Sequence, residues 1–410
     1  MSSREVTLGE VCEIKQGKYL SPGQMEAQPT EEAFVPVVGG NGILGYTTKS
    51  TFTFPLPLVT CRGSKCGLMQ WAEPPTWVSN NAMAVYFKGG FGDNFFLYQY
   101  LLQSDFDDVT TGSAQPQITV SSLALKKILL PALNEQRAIA QIMGAIEEKI
   151  QVNREISKTL EATAQTIFKS WFIDFDPVKA KMAGEKAVGM NDETAALFPD
   201  SMEDSELGQV PANWPVVPLT DLFDVLSGGT PKTTEESFWG GAIPWFSVVD
   251  APESGGCFFI KTEKTITELG VSNSAAKIVR PGVTIISARG TVGKTAIVAS
   301  PSTFNQSCYG LMGKYGDFYT YLLVKYMVTK LQNIAHGGMF DTITRNTFSA
   351  LSVPKPMEPV INAFEKLVEP MFTQVRSLQY QSEQLETIRD ALMPRLISGE
   401  LQIPEEMLVS

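Results

Sequence analysis

The stretch IAQIMGAIEEKIQVNREISKTLEATAQTIFKSW (139–171) sets apolar residues at Ile139, Ile142, Ile146, Ile150, Ile156, Leu160, Ile167 and Trp171. Spacings of three, four and seven, sustained over several heptads, gather those side chains on one stripe of a helix and indicate a coiled-coil seam. Asn153 falls at a seam position, where it either fixes register or is simply solvated. A second stretch, INAFEKLVEPMFTQVRSLQYQSEQLETIRDAL (361–392), does the same with Ile361, Phe364, Leu367, Met371, Val375, Leu378, Leu385, Ile388 and Leu392. Pro370 interrupts it and is expected to kink or locally break that helix.

The two stretches are copies. At an ungapped offset of 225, Ile139, Ile142, Ile146 and Ile150 fall on Phe364, Leu367, Met371 and Val375, and Leu160 falls on Leu385. At the same offset Gly112 falls on Gly337, Ile118-Thr119 on Ile343-Thr344, Leu123 on Phe348 and Pro131 on Pro356. The front of each half matches at an offset of 211 (Leu8, Val11, Ile14, Gly17 against Leu219, Leu222, Val225, Gly228), and Arg62-Gly63-Ser64 matches Arg289-Gly290-Thr291 at 227. Shifting offsets signify loop insertions within one duplicated fold.

Ahead of each helix lies a Gly-, Pro- and β-branched-rich region, typified by PLPLVTCRG (55–63) and PGVTIISARG (281–290), which reads as short strands and turns. Between the halves, 184–215 is acidic and punctuated by Pro and Gly, and reads as a linker. The reading is therefore α+β: domain one over 1–133, a central coiled-coil helix over 134–183, a linker over 184–215, domain two over 216–357, and a C-terminal coiled-coil helix and tail over 358–410. If the second helix pairs antiparallel with the first it returns toward domain one, so two duplicated domains are separated by two long antiparallel coiled-coil helices in a pseudo-twofold arrangement. About 33 helical residues span on the order of 50 Å, longer than one turn of duplex, roughly 34 Å. Such a rod with a reading head at each end would measure two separated DNA half-sites.

Composition removes several classes of function. The chain is 43% hydrophobic and 19% charged, as folded domains are. No run approaches a membrane span and the first residues, MSSREVTLGE, hold no signal peptide, which points to the cytoplasm. The cysteines (Cys12, Cys61, Cys66, Cys257, Cys308) are odd in number and scattered, as reduced thiols are, and no ligand set completes a metal site around Cys61 and Cys66. The one histidine, His336, reads as a turn residue before Gly337-Gly338 rather than as a triad member. A net charge of −11 argues at first sight against nucleic acid, but the acidity is segmental. Residues 1–133 carry 9 Lys+Arg against 11 Asp+Glu and residues 216–355 carry 12 against 10. The helical segments hold the excess, 8 against 14 over 134–215 and 4 against 9 over 356–410.

Two catalytic-looking motifs fail. GTVGKT (290–295) resembles the end of a phosphate-binding loop, but the first glycine of that pattern falls on Ala288, and AIVAS after it is strand-like where a helix is needed. Gly40, Gly42 and Gly45 fit G-x-G-x-x-G, yet the following YTTKSTFTF is β-branched, so a hairpin is the better reading. No amino-methyltransfer loop and no nuclease carboxylate–lysine cluster is readable.

Distributed stretches resemble the specificity subunits of Type I restriction–modification systems. LLPALNEQRAIAQIM (129–143) is similar to the start of their central helix, TIFKSWFIDFDPVKAKM (166–182) to its close, ALFPDSMEDSELGQVPANW (196–214) to the segment leading into their second recognition domain, and IRDALMPRLISGEL (388–401) to the end of their last helix. TGSAQPQIT (111–119) and RGTVGKTAIV (289–298) resemble segments within the recognition domains. The second domain-to-helix junction departs from the pattern, with Pro359-Val360-Ile361 where the first half has Asn134-Glu135-Gln136. The resemblance implies a non-catalytic subunit that reads a split double-stranded DNA target and binds two methyltransferase (modification) subunits, and through them the restriction (endonuclease/translocase) subunits. It implies no cofactor on this chain: S-adenosylmethionine, ATP and magnesium belong to those partners.

Readout of sequence requires planar donors and acceptors at base edges, with cations and backbone amides on phosphates. Loops that set such residues beside glycine are the candidates: Arg62, Lys65, Asn80, Asn81, Gln115 and Gln117 in the first half, and Arg289, Lys294, Asn305, Gln306, Thr342 and Arg345 in the second. The plainer reading of each is a turn residue satisfying local carbonyls. Two competing functions stay open: an NTP-binding enzyme using Gly293-Lys294-Thr295, and an acidic scaffold that touches only protein.

Overall fold

The computed structural model describes residues 3–112, 115–252, 255–336 and 342–408. It divides into two compact units, one of residues 1–149 with 384–410, the other of residues 150–383.

In the first unit, strands Cys12–Gln16, Ala82–Phe87, Leu56–Thr60 and Met69–Ala72 lie side by side in one antiparallel sheet. Successive side chains of a strand point to opposite faces, which explains why PLPLVT carries no polar alternation. Val59, Met83 and Val85 face a core completed by Phe96, Leu97 and Leu101 of helix Asn94–Leu102, whereas Leu58, Ala82 and Ala84 face a second core with Leu56 and Val78. Both faces are covered. The Gly40–Gly45 segment is part of a hairpin, Val35–Gly39 with Gly42–Thr47, and Val35–Gly39 also pairs in parallel with Trp77–Val78.

The second unit repeats this order. Strands Phe223–Ser227, Cys308–Gly313, Thr284–Ser287 and Thr295–Val298 form the matching sheet, and Trp239–Phe246 pairs in parallel with Thr303–Phe304. Equivalent hydrogen bonds fall at the offsets read from the sequence. Leu8 N–H donates to Lys126 O at 2.8 Å and Leu219 N–H to Leu351 O at 2.9 Å; Ile118 N–H donates to Cys61 O at 3.1 Å and Ile343 N–H to Ala288 O at 3.0 Å. Thr119 and Thr344 cap the short helices Val120–Ala124 and Arg345–Ser349 in the same way. The second sheet has one more strand, Phe258–Phe259. Gln379 closes its edge as a neighbouring strand would, accepting from Cys257 N at 3.2 Å and Phe258 N at 3.0 Å and donating to Phe258 O at 2.8 Å.

Two helices of 40 residues each, Leu133–Phe172 and Glu358–Ile397, contribute to both cores. Gln136 fixes the start of the first, donating to Pro131 O at 2.9 Å and accepting from Asp93 N at 3.1 Å. In the first unit Met143 and Met393 share one core and Arg389 pairs with Glu147 at 2.7 Å. In the second unit Asn153 Nδ2 donates to Gln381 Oε1 at 2.9 Å and Phe168 lies 6.0 Å from Phe364, ring centre to ring centre. Numbers rise on one helix as they fall on the other, so the helices are antiparallel there.

Four expectations are corrected. The buried stripe of the first helix in the second unit is Ile150, Asn153, Ser157, Glu161, Ala164, Phe168 and Trp171, while Ile156 is exposed; Leu367 and Ile388 of the second helix are exposed as well. Its seam is in part polar, which an apolar count misses. The second helix runs unbroken through Pro370, an exposed position where water can satisfy the carbonyl that loses its N–H. The stretch 184–215 is folded rather than a bare linker: it holds helix Asp192–Ala196 and hairpin Met202–Ser205/Gly208–Pro211, and Phe198 and Trp214 are buried in the core of the second unit. Finally, His336 closes helix Asp317–His336 instead of standing in a turn; Gly337 and Gly338 lie outside the described residues.

Candidate nucleic-acid interface

Strand Leu56–Thr60 ends at Cys61, and the chain then makes a tight turn in which Gly63 and Gly67 both adopt a φ of +88°, a region that favours glycine. Cys66 N–H donates to Gly63 O at 3.0 Å and Gly67 N–H to Thr60 O at 2.8 Å, leaving Arg62 and Lys65 exposed on the turn. Arg62 forms an isolated antiparallel bridge with Gln117. Cys61 N–H donates to Asn81 O at 2.9 Å, which draws the Asn80-Asn81 turn against the same spot. Arg62, Asn80, Asn81 and Gln117 are thereby brought together at one end of the sheet, from three separate parts of the sequence. Gln115 is exposed in the loop leading to Gln117, and Lys65 stands further out on the turn.

One residue of this cluster was missed. Gln16, at the end of strand Cys12–Gln16, donates from Nε2 to Asn80 O at 2.7 Å, with Ala82 O and Cys61 Sγ each at 3.4 Å. The only sequence signal was its place directly before Gly17, a glycine matched by Gly228 in the duplicate.

The second unit assembles the corresponding end. Ala288 N–H donates to Ser307 O at 2.7 Å and Ala288 O receives Ile343 N–H, so Arg289, the Asn305-Gln306 turn and Thr342 converge. Asn305 Oδ1 accepts from Ser307 N at 3.0 Å, Gln306 Oε1 accepts from the Thr230 hydroxyl, and Arg345 Nη2 reaches Ser227 Oγ at 3.5 Å, at the limit of a hydrogen bond. Lys294 is not part of this group. It lines a separate groove of about 420 Å³ with Lys158, Glu161, Tyr321 and Lys325. There Glu161 is buried and held by the Tyr321 hydroxyl at 2.6 Å and by Lys325. The chain after Gly293-Lys294 continues into strand Thr295–Val298, so this loop does not open a helix whose N-terminus would hold a phosphate.

Burial pushes the thiols of Cys12 and Cys308 up to about 12, far above the pH at which a thiolate forms. Among the described residues no group of three or more His, Cys, Asp or Glu side chains could hold a metal ion, and no helix is long and apolar enough to cross a membrane.

Residues 2–162 and 211–360 match the Type I restriction modification DNA specificity domain, one segment in each half, and the chain belongs to that family. It is similar to the Type I restriction enzyme HindI specificity subunit of Haemophilus influenzae, 28% identical over 329 residues that cover 70% of this chain and 71% of that protein. It is also similar to the Type I restriction enzyme MjaIX specificity subunit of Methanocaldococcus jannaschii, 26% identical over 318 residues, 76% of this chain and 69% of that one. The fold resembles the crystal structure of a Type I restriction–modification S subunit from M. genitalium, with a TM-score of 0.56 over 97% of this chain and 96% of that one at 17% identity.

Proposed function

We propose that this chain is the non-catalytic subunit that selects a bipartite DNA target, each recognition domain reading one half-site. The observation that carries the reading is the repeated convergence of the turns that bear polar residues: Arg62, Asn80, Asn81 and Gln117 in one half, Arg289, Asn305, Gln306 and Thr342 in the other. Arg and Asn or Gln are the side chains whose geometry matches guanine and adenine edges. Gln115 and Arg345 flank these groups and are assigned to phosphates or neighbouring bases, and Lys65 and Lys294 to phosphate, since a lysine is a point charge without a fork. Recognition domains over 1–133 and 216–357 would be held apart by the two long helices as a coiled-coil rod with pseudo-twofold symmetry, a proposal supported by the duplication of the sequence. Two methyltransferase subunits would dock on the helices, with restriction subunits joining through them. S-adenosylmethionine, ATP and magnesium would be bound by those partners, and the complex would work in the cytoplasm.

Exchanging residues 1–133 for the first recognition domain of another specificity subunit tests this. Base-resolved methylome sequencing of a host carrying the hybrid with its partners is expected to show one half-site changed and the other retained. A simultaneous change in both half-sites would exclude independent reading.

A further inference from the structure

Gln16 is exposed, yet its amide is not free to turn. Its Nε2 faces three acceptors, Asn80 O at 2.7 Å and Ala82 O and Cys61 Sγ at 3.4 Å, which turn the nitrogen end of the group toward the protein. These are the backbone turns that carry Asn80, Asn81 and Arg62. The opposite end, Oε1, has no partner among the described residues. A glutamine in a DNA-reading loop ordinarily meets adenine with both ends, donating to N7 and accepting from the N6 amine. Here the nitrogen end is turned to the protein. What remains is a single acceptor, held in place without loss of side-chain freedom on binding.

We infer that Gln16 is a specificity-determining residue of the first half-site, whose Oε1 accepts a hydrogen bond from the exocyclic amine of adenine or cytosine in the major groove and disfavours the O6 of guanine or the O4 of thymine. The chemistry follows from the base edges: adenine N6 and cytosine N4 carry donors, whereas guanine O6 and thymine O4 are acceptors and would meet Oε1 lone pair to lone pair. Gln16 therefore tolerates either amine-bearing base at one position and tells on which strand the amine lies. The duplicate has Ser227 at the matching position, where Arg345 reaches its hydroxyl, so the rule applies to one half-site only.

The inference rests on the proposed reading that this end of the domain faces DNA, and the test separates the two. The complex assembled with its methyltransferase subunits is titrated with duplexes carrying the full target. In these, each adenine of the first half-site is replaced in turn by purine and each cytosine by 2-pyrimidinone, analogues that lack only the exocyclic amine. The wild-type complex is expected to lose about 10-fold in affinity at the position that Gln16 meets, the size of one hydrogen bond from a base edge, whatever losses the other side chains cause elsewhere. The Gln16→Leu complex is expected to bind the natural duplex about 10-fold more weakly and to be indifferent to the analogue at that position. A Gln16→Leu complex that remains as sensitive to every analogue as the wild type overturns the inference, because a residue that merely props the turns would weaken all duplexes alike. An Arg62→Ala complex run in parallel marks the wider reading. If Arg62→Ala alters discrimination in the first half-site and Gln16→Leu does not, only the Gln16 assignment falls; if neither does, the DNA-facing surface itself is misassigned.

Discussion

Glu365 accepts the Tyr319 N–H at 2.6 Å where the second long helix meets helix Asp317–His336, and burial there pushes its carboxyl up to about 7 from an ordinary 4.5. Between those two values the folded chain holds a proton that the unfolded chain has released, so stability falls as pH rises through that window and levels off above it. Glu365→Gln keeps an oxygen for the Tyr319 N–H and removes the charge. It is expected to flatten the fall and to raise stability at pH 8 by at most about 3 kcal/mol, read as a shift in Tm across pH 5 to 8. A profile parallel to that of the wild type would mean that Glu365 does not titrate in this range. Arg289 makes the complementary case for function. It is exposed on a glycine-flanked turn, so Arg289→Ala is expected to leave Tm unchanged and to weaken specific binding by the assembled complex by about 1–3 kcal/mol. Unchanged affinity together with an unchanged salt slope would remove Arg289 from both base and phosphate contact. Arg62 and Arg289 were legible because an Arg-Gly pair recurs in both halves. Gln16 was not, because nothing in the strand CEIKQ distinguishes its last residue until the Asn80 carbonyl is seen beside it.

At the scale of the element, the periodicity over 139–171 and 361–392 announced two long helices, and both exist. The phase of the seam was legible only in part. Apolar spacing includes the exposed Ile156 and skips the buried Ser157 and Glu161, because sequence alone assigns polar residues to solvent unless their partners are known. Those partners come from afar: Gln381 for Asn153, and Tyr321 and Lys325 for Glu161. The helices also suggest where a ruler could be lengthened without disturbing either core. Four residues added after Lys149, matched by four after Glu383, fall at the boundary between the units. Such an insertion adds about 6 Å, a little under two base pairs at about 3.4 Å per pair, and rotates the helix beyond it by roughly 40°. The spacer between methylated half-sites is expected to lengthen while the bases within each half-site stay the same. Normal modification at the original spacing would show that the helices do not set the distance.

For the whole molecule, the duplication was legible from matched residues alone, and the equivalent hydrogen bonds of Cys61 and Ala288 fall where its shifting offsets put them. The role of 184–215 was not legible, since its acidity masked Phe198 and Trp214, which the core of the second unit encloses. The division into units also bears on how the chain is made. The first unit takes its core from residues 1–149 and from Met393, Leu396, Ile397 and Ile403, whereas the second is a continuous run, 150–383. Synthesis is vectorial, so the opening domain leaves the ribosome first yet lacks four of its core side chains until residues 384–410 emerge. At about 5–20 residues per second, the intervening residues impose a wait of roughly ten to fifty seconds. The order of maturation should then be the reverse of the order of emergence. Nascent chains arrested with residue 383 just outside the exit tunnel are expected to yield a protease-resistant fragment from 150–383 while 1–149 is still digested. Resistance of 1–149 at that length would show that it closes its core without help from downstream. Until that closure, the exposed apolar surface around Ile139 and Met143 is what a ribosome-associated chaperone would encounter.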